Sequence, residues 1–243
     1  MSDWRRRLYD RYVSSEQGGM SASSGYRSEA PFLSHIIAQH VPADRNIRIL
    51  DLGCGAGGMI YWLKKAGYLN TSGVDSSPEM VEAAAKAGVE NVKFGDLQFE
   101  LKEIIDNSID VVIVIDVLEH MDRKSLFEVC EDIFRVLKPC GRIVVHVPNA
   151  EGIFGSRIRY GDLTHELAFT SSSIRQLLKT IGFNQIQCYE DKPIPHGFRS
   201  GIRYLLWEIG TIPFRVLHTA ETGTFKCILS QNLLAIAMVP NRK

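Results

Sequence analysis

This chain lacks the marks of an extracellular, membrane-spanning or strongly charged protein. Its five cysteines, Cys54, Cys130, Cys140, Cys188 and Cys227, form no C-x-x-C pair. Their odd number and scatter argue against a disulfide framework and predict reduced thiols in a cytoplasmic setting. Net charge is also missing. With 28 basic residues balancing 28 acidic ones, no global field gathers nucleic acid or an anionic membrane, and no basic stripe interleaved with aromatics marks a nucleic-acid surface. No run approaches the ~18 apolar residues of a membrane span. The start, Met1-Ser2-Asp3-Trp4-Arg5-Arg6-Arg7, is basic but is followed by polar residues, so it is not expected to be a signal peptide. The 243 residues suffice for one α/β core, or for a core with an insertion.

What the chain does have is a short apolar strand running into an acidic, glycine-rich turn, Ile49-Leu50-Asp51-Leu52-Gly53-Cys54-Gly55-Ala56-Gly57. Such a turn lets a ligand lie against the backbone, because glycine tolerates positive φ and carries no Cβ. The spacing is G-x-G-x-G rather than the G-x-G-x-x-G of a pyrophosphate site, and Asp51 ahead of it repels phosphate while suiting a cationic head group. S-adenosylmethionine, with an ammonium, a sulfonium and no phosphate, fits. A nicotinamide dehydrogenase shares the strand and loop logic and remains a reading from another class, but Asp51 and the G-x-G-x-G spacing argue against it. Further along, Thr71 to Asp75 reads as a second strand ending in an acid, 22 residues after Gly53, close to the ~20 expected of a ribose-binding carboxylate. Phe94-Gly95-Asp96-Leu97 closes a third strand with another acid, placed for an adenine amino group. Asp110 to Ile115 reads as a strand buried on both faces.

In order and content, these pieces resemble the class I S-adenosylmethionine-dependent methyltransferases. They are Asp51 to Gly57, Val74-Asp75, Gly95-Asp96, the strand before Asp116-Val117-Leu118-Glu119-His120, and Leu137-Lys138-Pro139-Cys140-Gly141-Arg142. The family usually has glycine where Cys140 stands. The resemblance implies Asp51, Gly53 and Gly55 around the methionine moiety, Asp75 on the ribose hydroxyls, Asp96 and Leu97 at the adenine, and Ser76 and Met80 also at the cofactor. It further implies a Rossmann-like, doubly wound, seven-stranded α/β sheet, mostly parallel with an antiparallel last strand.

Periodicity fills in the rest. Residues 1–46 read as an N-terminal helical cap with a polar segment from Ser14 to Ser24, and Tyr9, Tyr12, Tyr26 and Arg27 either close over the pocket or pack. Gly58 to Ala66 is a crossover helix, and Ser77-Pro78-Glu79 caps the next one. Lys124 to Leu137 carries one apolar stripe, Leu126, Val129, Cys130, Ile133, Phe134 and Leu137. Strands are expected at Gly141 to Pro148, Asn184 to Glu190 and Gln231 to Val239, with a helix from Ser171 to Ile181 stopped by Gly182. The methyltransferase domain is assigned to 47–192 and 230–243. Residues 193–229 form a helical insertion before the last strand, too broken to span a bilayer. It covers the substrate pocket or pairs two subunits as a homodimer, ahead of peripheral membrane contact through Arg199, Arg203 and Arg215.

Methyl transfer to a hydroxyl needs the acceptor aligned and its proton removed, by a base or beside a metal. Asp116, Glu119 and His120 follow the fourth strand, and spacings of three and four put them on one face of a helical turn. His165 arrives later. The arrangement resembles metal-dependent O-methyltransferases of terminal RNA ribose, in which an E-x-x-E-H turn and a distant histidine hold a divalent cation against a vicinal diol. Here aspartate replaces the first glutamate. Asp116, Glu119, His120 and His165 are therefore candidate ligands for Mn, Fe or Zn ahead of Mg, and Glu119, His120 and His165 candidate catalytic residues. A metal-free histidine base and a structural role remain open beside the metal. His146, near the end of the fifth strand, is expected to be a satisfied core histidine. The segment Arg159 to Glu166, with Phe169-Thr170, resembles bacterial methyltransferases of surface polysaccharide. A sugar or glycan hydroxyl is thus the first acceptor, a phenolic or quinone-like molecule the second and RNA ribose the third, and a non-catalytic cofactor-binding module is the reading from another class.

Overall fold

The computed structural model describes residues 3–11, 14 and 26–241. Short apolar runs separated by amphipathic segments become strands β1 (Ile49–Leu52), β2 (Thr71–Asp75), β3 (Val92–Phe94), β4 (Ile109–Ile115), β5 (Leu137–Pro148), β6 (Asn184–Glu190) and β7 (Asn232–Met238). They join in one sheet of order β3-β2-β1-β4-β5-β7-β6. Strands β1 to β5 pair in parallel, and β7 runs antiparallel to both of its neighbours. This is the expected doubly wound sheet. Its strand order reverses between β1 and β4, which opens a crevice beyond their carboxyl ends.

Alternation along β4 distributes the core between two faces. Val112 and Val114 pack with Leu126, Val129 and Ile133 of α6 (Arg123–Val136) and with Ile174 and Leu178 of α8 (Ser171–Ile181). Val111 and Ile113 point the other way, to Leu33 and Ile36 of α2 (Ala30–His40) and Met59 and Leu63 of α3 (Gly58–Lys65). Each such fully buried aliphatic side chain contributes roughly 1.5–3 kcal/mol, so a polar residue at any of these positions would strain the sheet that carries the site.

Local capping follows the sequence. Ser77 accepts from Met80 N at 3.4 Å to start α4 (Pro78–Lys86), and Gly182 ends α8 at φ 119°. Asp96 caps α5 (Leu97–Glu103), a helix that periodicity does not announce. Two boundaries differ from expectation. Asp122 caps α6, and Leu137 is already the first residue of β5, which starts four residues before Gly141 and absorbs Pro139 and Cys140 as an irregularity. Cys140 sits at φ 61°, a left-handed conformation that explains why glycine is the usual residue there.

Two helices represent the N-terminal cap, α1 (Asp3–Tyr9) and α2, while Tyr12 and most of the polar segment from Ser14 to Ser24 lie outside the described residues. After β5 comes a short α7 (Gly155–Arg159). Between β6 and β7 the chain forms a helical hairpin, α9 (Phe198–Gly210) and α10 (Ile212–Thr222). Arg215 pairs with both carboxylate oxygens of Glu190 at 2.8 Å and Lys192 with Glu208 at 2.5 Å, tying the hairpin to the end of β6. Among the described residues no helix is long and apolar enough to cross a membrane.

Candidate active site

At the crevice the glycine turn bends sharply away from β1. Gly53 has φ 68°, and a Cβ there would lie 2.3 Å from Val117 Cγ2. Only glycine lets the turn pass beneath the loop that follows β4. A cavity of about 500 Å³ opens over this turn, and all eight residues expected at the cofactor line it: Asp51, Gly53, Gly55, Asp75, Ser76, Met80, Asp96 and Leu97. Asp75 braces the turn. Its Oδ2 accepts from Gly55 N and its Oδ1 from Ser77 N, both at 2.8 Å.

Among the described residues, three acids of the cavity, Glu29, Asp51 and Asp75, are in no ion pair. Burial pushes the Asp51 carboxyl well above the usual range, with Asp75 and then Glu29 adding repulsion. Burial also raises Asp75, against the opposing pull of its two backbone hydrogen bonds, and lifts Glu29 to about 7. Three carboxyl groups so placed favour a cationic ligand. Glu29 was not anticipated, because it precedes α2 with no motif around it. Only the packing of α2 on α3 brings its Oε2 against Gly58, where a Cβ would meet it at 2.5 Å. Tyr9 and Tyr26 also line the cavity, Tyr26 donating its hydroxyl to Ala56 O at 2.6 Å, whereas Arg27 is exposed and does not.

On the acceptor side the expected helical turn from 116 to 120 does not form. Asp116 takes φ 54°, and only Leu118–His120 make a single 3-10 turn. The consequence is a division of the four candidate ligands. Glu119, His120 and His165 converge, with ligand atoms all within 4.8 Å of one another. Asp116 does not join them, because its Oδ1 pairs with His146 Nδ1 at 2.7 Å.

Each imidazole of the cluster is oriented by its other nitrogen. Thr164 donates its only hydroxyl proton to Asp162 Oδ1 at 2.6 Å, so it accepts from His120 Nδ1 at 2.8 Å. His165 Nδ1 donates to Ile158 O at 3.0 Å. Among the described residues neither Nε2 has a hydrogen-bond partner. Burial, and then repulsion from His165, lowers His120 to about 4, so it is neutral. Glu119 is fully buried, neither carboxylate oxygen is hydrogen bonded among the described residues, and Oε1 lies 3.9 Å from His165 Nε2. Burial, reinforced by Asp116, pushes its carboxyl well above the ordinary value. The loop carrying His165 is fastened to this turn: Glu166 N and Leu167 N donate to Glu119 O at 2.7 and 2.9 Å, and Arg159 donates to Glu166 O at 2.7 Å.

His146 is buried on β5 between two acids, Asp116 at 2.7 Å and Asp191 at 3.2 Å. Burial opposes its charge, but the two carboxylates outweigh that and push it up to about 10. Asp116, raised by burial and lowered more strongly by His146, ends below its usual value. Because the His146 value lies above the ~6.5 of an unfolded histidine, its contribution to stability is complete below about pH 6.5 and disappears as pH rises through about 10. Urea unfolding from pH 6 to pH 10 should show that decline, and Asp191→Asn should lower stability at neutral pH by about 1–3 kcal/mol while moving the decline to lower pH. A flat profile unaffected by the substitution would mean that the imidazole is neutral.

Residues 50–145 match the protein family described as methyltransferase domain. Over 117 residues the chain is 28% identical to a sterol 24-C-methyltransferase of Neurospora crassa, covering 46% of this chain and 30% of that protein. It is 34% identical over 99 residues to a 2-methyl-6-phytyl-1,4-hydroquinone methyltransferase of Synechocystis, covering 40% of this chain and 30% of the relative. In both cases the shared segment spans under a third of the relative's own length. The crystal structure of a SAM dependent methyltransferase from Archaeoglobus fulgidus superposes with a TM-score of 0.65 at 20% identity, covering 93% of this chain and 98% of that one. The glycine turn with its acids, the sheet order and the matched segment agree: residues 50–145 match a methyltransferase domain, and the sheet has the fold of the S-adenosylmethionine-dependent methyltransferases.

Proposed function

We propose that the protein transfers the methyl group of S-adenosylmethionine to a hydroxyl oxygen, a sugar or glycan diol first, with Glu119, His120 and His165 holding a divalent cation beside the acceptor. The observation that carries this reading is Glu119: a fully buried carboxyl with no hydrogen-bond partner, facing two imidazoles whose Nδ1 protons are engaged elsewhere. A cation satisfies all three groups at once, and two nitrogens with carboxylate oxygen suit Mn, Fe or Zn better than Mg. Once bound, it would act as a Lewis acid that eases deprotonation of the acceptor hydroxyl.

The remaining roles fall to the chain's own groups. Asp75 keeps a lone pair on each oxygen for the ribose hydroxyls while holding the turn. Asp51 and Glu29 face the cofactor's ammonium, and Asp96 presents the oxygen not used in capping α5 to the adenine. The sulfonium already activates the methyl carbon, so alignment across the cavity supplies much of the rate. His120 lines the cavity with the cluster behind it. The sugar preference rests on the resemblance of the segment from Arg159 to Thr170 to polysaccharide methyltransferases.

Dialysis against a chelator should abolish methylation of a vicinal-diol acceptor, measured with labelled methyl donor, and Mn²⁺ should restore it. Turnover indifferent to both treatments removes the cation and leaves a histidine base. A phenolic or quinone-like acceptor is the second reading, favoured by a second cavity of about 970 Å³ between α2 and the helical hairpin, large enough for an apolar tail. Comparing a catechol with sugars as acceptors separates the two.

A further inference from the structure

The hairpin of α9 and α10 is amphipathic the wrong way round for a helix that only covers a core. At about 100° per residue, Phe198, Ile202, Leu205, Leu206 and Ile209 fall within roughly a 100° arc. Every one of them is exposed, from 44% at Ile202 to 85% at Phe198. The opposite side of α9 carries Ser200, Tyr204, Trp207 and Glu208, which are buried or half-buried. The second helix repeats the pattern: Ile212, Val216 and Leu217 are exposed, Leu217 at 67%, while Arg215 turns inward to Glu190. In α10 only Arg215, His218 and Thr219 are half-buried, and no residue is buried. Monomeric proteins rarely present so continuous an apolar face to water.

Charge distinguishes the candidate occupants. Arg199 and Arg203, one helical turn apart, border the apolar arc of α9, and Lys226 follows the hairpin. All three are exposed, and among the described residues none is in an ion pair. The cations that do have partners, Arg215 and Lys192, are on the inner side. Of the hairpin's acids, Glu208 is taken by Lys192, which leaves Glu221. In a twofold contact between copies this patch would meet itself, bringing like charges together around an apolar centre. An anionic bilayer surface offers the complement to both parts, headgroup charge for the arginines and acyl chains for the apolar arc. At 13 and 11 residues the helices are well short of the ~20 needed to span, so they would lie in the plane of the interface. The ion pairs Arg215–Glu190 and Lys192–Glu208 tie the inner side of the hairpin to the end of β6 and leave the apolar arc outward.

We propose that α9 and α10 form a docking surface for anionic lipid bilayers, with the apolar arc inserted and Arg199 and Arg203 at the headgroups. This surface is independent of the methyl-transfer reading and of the acceptor. It places peripheral membrane contact ahead of pocket cover and subunit pairing, the reverse of the order expected from the sequence, and it leaves out Arg215, which is paired with Glu190.

Flotation of the full-length protein with phosphatidylcholine vesicles containing about one third phosphatidylglycerol tests it directly. The protein should float at low salt, less well as salt is raised, and poorly with phosphatidylcholine alone. Leu205→Ser with Leu206→Ser should abolish flotation, and Arg199→Gln with Arg203→Gln should weaken vesicle affinity about tenfold or more. These side chains point into solvent, so circular dichroism and melting should be unchanged; if the leucine variant fails to fold, the arginine variant and the salt series carry the test. A protein that never floats with the anionic vesicles overturns the proposal. So does a dimer that the leucine substitutions dissociate in the absence of any vesicle binding, which would assign the face to a second copy of the chain.

Discussion

Asp75→Ala should reduce the affinity for S-adenosylhomocysteine on the order of a hundredfold or more, and should loosen the glycine turn even without ligand. Two separate losses combine. In the proposed function the carboxylate would accept charge-assisted hydrogen bonds from two ribose hydroxyls, each worth about 1.5–3 kcal/mol when a charged acceptor is involved. It also accepts from Gly55 N and Ser77 N at 2.8 Å, and alanine leaves both donors without that acceptor. The apo protein should therefore lose about 2–4 kcal/mol of stability, less whatever relief comes from removing a carboxyl that burial raises and that repels Asp51. Isothermal titration with S-adenosylhomocysteine measures the first loss and urea unfolding without ligand the second. Should affinity survive while stability falls, Asp75 is a brace for the loop and the ribose contact belongs elsewhere.

Features that depend on neighbouring residues were legible before the fold. The turn from Gly53 to Gly57 declares itself because close approach demands glycine at the end of an apolar strand, and Ser77-Pro78 because capping is a local event. Contacts between distant segments were not. Placing Asp116, Glu119 and His120 on one face assumed continuous helix, and the left-handed conformation of Asp116 broke that assumption by turning its carboxylate to His146, thirty residues onward. Similarly, Glu29 enters the cavity only because α2 packs over Gly58. His165 was identified by resemblance, and the reason it reaches the cluster is visible only in three dimensions, in the bonds from Glu166 and Leu167 to the carbonyl of Glu119. His146 fulfils the expectation of a satisfied core histidine, but as a charged one held by two acids.

Glu119→Leu offers the sharpest division between a functional and a structural cluster, since the two readings differ in sign. A buried carboxyl without hydrogen bonds is a burden on the fold, costing several kcal/mol of lost hydration that no group among the described residues replaces. Leucine has similar volume and no polar atoms, so in the presence of a chelator the variant should be more stable than the parent by about 1–3 kcal/mol. Methylation should nevertheless fall on the order of a hundred- to a thousandfold. Mn²⁺ should raise the melting temperature of the parent, because a ligand that binds only the folded state stabilises it by mass action, and should leave the variant unmoved. Thermal melts of both proteins with chelator and with Mn²⁺, beside one activity assay, cover every arm. A variant that is less stable by several kcal/mol and indifferent to the metal would make Glu119 a support for the loop from Asp162 to Leu167. In that case the pair of oriented imidazoles would have to serve without it, and His120, neutral and lining the cavity, would be left as the base.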